Sequence, residues 1–217
     1  MTETEAKRWL GNNLDVSRET WARLDSFVRF LRDEAGRQNL VSAATLDHIW
    51  VRHIVDSAQL IRLAPAEGDW LDLGSGAGFP GLIVALLSNH NVTLVESRAK
   101  RIDYLNRAIA HLGLGGCTKV AGMPVERLET APYSIISARA FAPLPRLLDL
   151  SQRFSTQKTL WLLPKGRNAA NELEEARKTW NVDFIVENSV TDDDAGILVG
   201  RVMGRKAQAP TKGRRKR

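Results

Sequence analysis

Residues 71–81 read Leu-Asp-Leu-Gly-Ser-Gly-Ala-Gly-Phe-Pro-Gly: an apolar strand end, one carboxylate, and four glycines in eight positions ahead of an apolar run. Glycines at this density allow a tight strand-to-helix turn and let a ligand lie directly against the backbone. Asp72, just ahead of the first glycine, bears on the kind of ligand. A pyrophosphate resting on a helix N-terminus is met by amide donors, without a carboxylate beside it. S-adenosylmethionine carries a sulfonium and an ammonium and no phosphate, so a carboxylate at the loop mouth suits it, with Gly74, Gly76 and Gly78 forming the turn. The competing reading is a dinucleotide loop, because residues 76–81 satisfy G-x-G-x-x-G. That pattern starts several residues past the apolar strand, with Asp72 and Ser75 intervening, and alone it is weak.

The rest of the chain agrees with such a turn. Residues 4–62 read as helices: Trp21, Leu24, Phe27, Val28 and Leu31 fall at helical spacing, as do Ile49, Ile54, Val55, Ala58 and Ile61. From Asp69 onward, strand candidates at 70–73, 92–96, 119–121, 133–138, 159–163, 183–188 and 197–203 alternate with helical stretches near 79–88, 98–112, 144–153 and 168–179. Alternation of this kind predicts an α/β fold, a mostly parallel seven-stranded sheet with helices on both faces. No helix separates the last two strands, so a closing antiparallel hairpin is expected. The expected organisation is a helical segment over 1–64 packed on the core, a sheet domain over 65–203, and a disordered basic tail over 204–217. Ligands bind at the carboxyl ends of the strands in such sheets, which predicts that Asp72, Glu96, Arg139 and Pro164-Lys165 face one crevice.

Composition narrows the surroundings. The apolar runs are far short of a membrane span, and the N-terminus lacks the basic-then-apolar profile of a secretory signal. A single cysteine, Cys117, permits no disulfide framework and no cysteine metal site, and the four histidines show no ligand spacing, so no metal is expected. A cytoplasmic protein without membrane contact is expected, and a monomer. The net charge of +6 is concentrated: residues 204–217 hold seven Lys/Arg and no acid, Arg214 and Arg215 among them. A tail so rich in charge and poor in apolar residues suits contact with nucleic acid.

Glu96 ends the second strand, 22 residues after Gly74. A carboxylate there accepts hydrogen bonds from both ribose hydroxyls of an adenosine, without choosing between cofactors. The fourth strand runs into Ser137-Ala138-Arg139-Ala140-Phe141. The Asp/Asn-Pro-Pro-aromatic turn of many exocyclic-amine methyltransferases is absent, and Cys117 lies away from the crevice, so no covalent nucleophile is expected. Arg139 and Lys165 place two cations at adjacent strand ends, suited to a phosphate or an electron-rich ring oxygen. In the helical part, Arg52 stands beside Asp56 and His53 beside Ser57, each at i,i+4. This segment reads as packing or as substrate contact.

Taken together these residues resemble the glucose-inhibited-division protein B family, class I methyltransferases with a Rossmann-like fold that place a methyl on N7 of a guanosine in small-subunit ribosomal RNA. The resemblance is carried by Gln38-Asn39-Leu40-Val41, Val51-Arg52-His53 with Asp56-Ser57, residues 72–81, Glu96-Ser97 with Lys100-Arg101 and Leu105, Val125-Glu126, residues 137–141, and Lys165-Gly166. It implies S-adenosylmethionine contacts at Gly74, Phe79, Val125, Glu126 and Arg139, and RNA as partner, naked or in an assembling subunit. RNA contacts are then expected from Arg52, His53, Arg139, Lys165 and the tail, with Arg139 and Lys165 nearest the chemistry. Val125 stands where the family often has alanine, which leaves a backbone contact to the adenine intact. The residues leave open another RNA atom, a small-molecule acceptor, a nucleotide-cofactor oxidoreductase and a non-catalytic assembly factor.

Overall fold

The computed structural model describes residues 1–207; residues 208–217, with Arg214 and Arg215, lie outside the described residues. Helix α1 (Glu3–Asn13) opens on a capping box in which Thr2 and Glu5 satisfy each other's backbone N–H groups. Helix α2 (Arg18–Ala35) starts at Ser17, whose hydroxyl accepts from Thr20 N at 3.1 Å. A short α3 (Ala43–Leu46) leads to a π-helical turn, Trp50–Val55, which continues as α4 (Asp56–Ala58) and a 3-10 turn, Gln59–Leu63.

The alternating part follows as β1 (Asp69–Leu73), α5 (Gly81–Leu87), β2 (Asn91–Val95), α6 (Ala99–Leu112), β3 (Thr118–Ala121), β4 (Ile135–Ala138), α7 (Leu144–Ser151), β5 (Leu160–Lys165), α8 (Ala169–Arg177), β6 (Trp180–Asn188) and β7 (Gly196–Arg205). The seven strands lie in the order β3-β2-β1-β4-β5-β7-β6. All pairs from β3 to β5 are parallel, and β7 is antiparallel to both neighbours. The order reverses between β1 and β4, and that is where open sheets of this kind hold ligands.

Each face of the sheet carries its own core. On one, Leu10, Leu24, Phe27, Leu31 and Ile54 from the N-terminal helices pack with Leu82, Ile83, Tyr104 and Leu105 from α5 and α6. On the other, Leu147, Leu148 and Leu173 of α7 and α8 cover Leu71, Leu73, Trp161 and Phe184. The N-terminal helices therefore complete one face of the sheet domain.

Two boundaries differ from the sequence expectation. The segment around residue 54 is not one regular helix, although Ile49, Ile54, Val55 and Ala58 are all buried as the periodicity requires. The sheet also extends beyond residue 203. Arg205 pairs with Asp149 and lies 5.3 Å from the Trp180 ring centroid, and Lys206 N donates to Thr179 O at 2.9 Å. Those contacts keep 204–206 on the sheet, so the tail begins later than 204. No helix among the described residues is long and apolar enough to cross a membrane.

One buried carboxylate clamps α2 onto α6. Glu34 is 2% exposed and takes a two-pronged contact from Arg107, with both N···O distances 2.8 Å, plus Arg37 Nη1 at 2.9 Å. The Arg107 hydrogen bonds hold its pKa at about 2 against the opposing effect of burial. A carboxyl lowered from 4.5 contributes stability that is complete above about pH 4.5 and is lost as pH falls toward 2. Glu34→Gln is expected to cost about 1–3 kcal/mol at pH 7. Its melting temperature should then fall less than that of the wild type between pH 5 and 2.5; parallel acid profiles would contradict the clamp.

Candidate active site

The glycine loop is held from underneath. Asp72 is 0% exposed: its Oδ1 accepts from Ser137 Oγ at 2.8 Å and its Oδ2 from Gly81 N at 3.2 Å. Trp70 Nε1 donates in turn to Ser137 Oγ at 2.8 Å, and Ser75 Oγ donates to the Asp72 carbonyl at 3.0 Å. Burial raises the Asp72 pKa, opposed by the hydrogen bonds of Ser137, Ser75 and Gly81. From sequence alone this carboxylate is expected at the loop mouth as a cofactor ligand. Its position on a strand covered on both faces instead turns it under the loop, where it ties β1, β4 and the start of α5 together.

The glycines divide their roles as well. Gly74 has φ +69°, and a Cβ there would meet the Phe141 ring at 2.5 Å. Gly78, at φ +90°, lies against Leu82, so its role is packing under α5. At Gly76 a Cβ would have ordinary clearance, the nearest atoms being 3.6 and 3.7 Å away, and only its φ of +56° restricts it.

Two clefts open at the strand ends, separated by residues 140–143, which line both. The first, of about 540 Å³, is bounded by Gly74, Glu96, Arg101, Val125, Glu126 and Phe141. Glu96 is 6% exposed; its Oε1 accepts from Ser97 N and Arg98 N at 2.8 and 2.9 Å, and its Oε2 from Gly76 N at 3.1 Å. Arg101 Nη1 faces the same Oε2 at 3.8 Å, and the lone-pair capacity left for a ribose lies on that oxygen. Val95, Pro124, Val125 and Leu150 give apolar walls for a purine ring, with the Glu126 carboxylate beside them. A carboxylate at a strand end, a glycine with no room for a side chain and an apolar slot fit an adenosine-bearing cofactor.

The second cleft, of about 620 Å³, holds Arg52, His53, Asp56, Arg139, Lys165, Glu172 and Asp192. Each cation has a carboxylate partner: Arg139 with Asp56 at 3.1 Å, Arg52 with Asp192 at 2.9 Å and Lys165 with Glu172 at 2.8 Å. Arg139 also donates to the Arg52 carbonyl at 3.1 Å and to His53 Nδ1 at 3.0 Å. His53 stacks on Phe79 with centroids 4.8 Å apart. Because the guanidinium can only donate, Nδ1 is the acceptor and Nε2 carries the proton. Burial and the charges of Arg139 and Arg52 lower the His53 pKa to about 3, so the ring is neutral. Ala140, between the clefts, has φ +52°, a backbone strain that a non-glycine residue adopts where its surroundings dictate it.

A family model described as GidB, rRNA small subunit methyltransferase G, matches residues 20–197. The chain belongs to this family. A relative from Rhizorhabdus wittichii, named ribosomal RNA small subunit methyltransferase G, is 53% identical over 92% of each chain. One of the same name from Novosphingobium aromaticivorans is 50% identical over 97% of this chain and 93% of its own. Among solved structures, a TehB-like S-adenosylmethionine-dependent methyltransferase from Corynebacterium glutamicum superposes with a TM-score of 0.54 at 16% identity, over 79% of this chain and 97% of its own. An RNA methyltransferase from Salinibacter ruber, in complex with S-adenosyl-L-homocysteine, gives 0.53 at 11% identity, over 67% and 89%. These structures share the α/β Rossmann-like methyltransferase fold.

Within this member of the rRNA small subunit methyltransferase G family, the expected crevice has two parts that share residues 140–143. Gly74, Glu96, Val125 and Glu126 line the first cleft, while Arg52, His53, Arg139 and Lys165 line the second. Phe79 is 3% exposed, its ring held between Phe27 and His53, so the implied cofactor contact does not come from an exposed ring. Arg52 does not pair with Asp56, because Arg139, Gln59 and Thr191 already occupy that carboxylate. Ser57 Oγ bonds the His53 carbonyl at 2.6 Å rather than its ring. Sequence reasoning missed Glu172, Thr191 and Asp192. An acid seven residues after Lys165 was the available signal for Glu172; the other two sit in a turn whose approach to the π-helical segment spans about 140 residues.

The His53 pKa gives a direct check. Above about pH 6.5 the folded and unfolded chains both hold this ring neutral; below it the unfolded chain gains a proton the folded one refuses, so stability falls toward pH 3. Imidazole ¹⁵N shifts of His53 are expected to stay flat from pH 8 to 5. A midpoint near 6.5 would contradict the packing described.

Proposed function

We propose that this protein transfers a methyl group from S-adenosylmethionine to N7 of a guanosine in small-subunit ribosomal RNA. The cofactor's adenosine lies along Glu96, Val125 and Glu126, and the base enters the cleft of Arg139 and Lys165. Family membership supports the ribosomal substrate, and the charge balance of the second cleft supports the ring as acceptor. A cleft built to hold phosphate would keep cations in excess, whereas here three cations meet three carboxylates.

When bound, S-adenosylmethionine supplies a methyl carbon made electrophilic by its sulfonium. Guanine N7 carries an in-plane lone pair and no proton, so its attack needs no general base. The N7 lone pair forms the new C–N bond as the C–S bond breaks and sulfur keeps its electrons. A neutral His53 and carboxylates engaged by cations are compatible with a site that moves no proton. The side chains instead position the base and offset the positive charge that the purine gains. Arg139, fixed by Asp56, His53 and the Arg52 carbonyl, is a rigid donor for O6 of the base. N7 faces the deep groove of an RNA helix, which side chains read poorly, so the target is a loop or flipped-out guanosine.

Incubation with methyl-labelled S-adenosylmethionine and small subunits, or their naked RNA, from a strain lacking this gene should yield label in 7-methylguanosine. Label in another nucleoside, or none in either substrate, would overturn the proposal. Arg139→Ala should lower single-turnover transfer by about 10²-fold or more. The basic tail adds a separate expectation. If three of the cations beyond residue 207 meet single-stranded RNA, deleting 208–217 should flatten log K against log salt by about 2 units. The methylated guanosine should stay the same; a changed site would move specificity into the tail.

A further inference from the structure

In the second cleft one ion pair has hydrogen-bonding capacity left over. Lys165 Nζ lies 2.8 Å from Glu172 Oε2 and 3.4 Å from the Ala142 carbonyl, which leaves one of its three N–H groups unused. The same Oε2 accepts from Leu144 N at 3.0 Å. Both anchors therefore fall on one oxygen, and among the described residues nothing donates to Glu172 Oε1. The two side chains are 10% and 29% exposed, so the pair is fixed within the wall of the cleft, with some access to solvent. The other two carboxylates of this cleft are engaged on both oxygens, Asp56 by Gln59, Thr191 and Arg139, and Asp192 by Arg52 and Asp194 N.

A free donor next to a free acceptor is the complement of one purine edge. Guanine presents O6, an acceptor, beside N1–H and the 2-amino group, both donors; adenine presents a donating amino group beside an accepting N1. We infer that Lys165 and Glu172 read the Watson–Crick edge of the target guanine, Lys165 donating to O6 and Glu172 Oε1 accepting from both N1–H and the 2-amino group. A base extruded from its helix is read on this edge. An adenine in the same place would set donor against donor and acceptor against acceptor, and unpaired buried polar groups give strong rejection. This inference rests on guanosine as substrate.

The test uses small-subunit RNA assembled by splinted ligation, with either guanosine or inosine at the one methylated position. Inosine keeps O6 and N1–H and lacks the 2-amino group. Wild-type enzyme should favour guanosine by on the order of 10–100-fold in single-turnover kcat/KM, the worth of one hydrogen bond to a charged group. Glu172→Gln keeps an oxygen for Leu144 N and Lys165 and turns the free atom into a donor. Its guanosine-to-inosine ratio should fall at least tenfold. Glu172→Asp, which retains the charge and withdraws the free oxygen, should also lower the ratio, and it serves if the glutamine variant folds poorly. A merely structural Glu172 would slow both substrates equally; an unchanged ratio in the folded variants would overturn the inference. Failure of the wild type to methylate the guanosine RNA would instead overturn the functional reading beneath it.

Discussion

A carboxylate with no access to solvent holds this site together. Asp72 accepts from the hydroxyl of Ser137 on one strand and from the amide of Gly81 at the start of the next helix. Removing a charge from water is costly unless its lone pairs are filled, so these donors and the carboxylate fix one another. The loop above can then take the positive φ values of Gly74, Gly76 and Gly78 without collapsing. With the loop fixed, Gly74 faces the Phe141 ring and Glu96 can cap Gly76 N, which sets one wall of the first cleft. Loss of that anchor would disturb both clefts, because Ser137 is two residues before Arg139.

Residues 140–143 divide the strand ends into two clefts of different character. One cleft offers an apolar slot and a strand-end carboxylate; the other offers paired charges. The pairing has a physical consequence. Opposite charges held in fixed geometry present oriented donors and acceptors without a large net field, and they need little reorganisation as charge develops on a substrate. A cleft with unmatched cations would favour phosphate over base and would oppose the positive charge of an N7-methylated purine.

Much of this was legible in the sequence, because the relevant signals are local. The glycine turn, the strand–helix alternation and the final hairpin each follow from periodicity and turn chemistry within a few residues, and the seven strands lie near the positions expected. Charge partners were not legible. Asp72 reads as a ligand-facing acid because nothing in residues 71–81 shows that Ser137 lies above one of its oxygens. Arg52 and Asp56 have the spacing of a helical pair, yet each is claimed by a partner from elsewhere in the chain, Asp192 and Arg139. Lys165 and Arg139 read as free cations because Glu172 and Asp56 belong to other elements. The β7 extension to Arg205 is not legible in the sequence, since Arg205 and Lys206 read as the start of the basic tail and only their contacts with Asp149, Trp180 and Thr179 place them on the sheet.

An experimental structure with S-adenosyl-L-homocysteine bound tests the division between the two clefts most directly. The adenine is expected between Val125 and Glu126 and the Val95 side of the sheet, a ribose hydroxyl within hydrogen-bonding distance of Glu96 Oε2, and the thioether sulfur pointing past Phe141 toward the cleft of Arg139 and Lys165. An adenosyl group lying against Arg52, Arg139 and Lys165, with the Glu96 cleft left to solvent, would contradict that division.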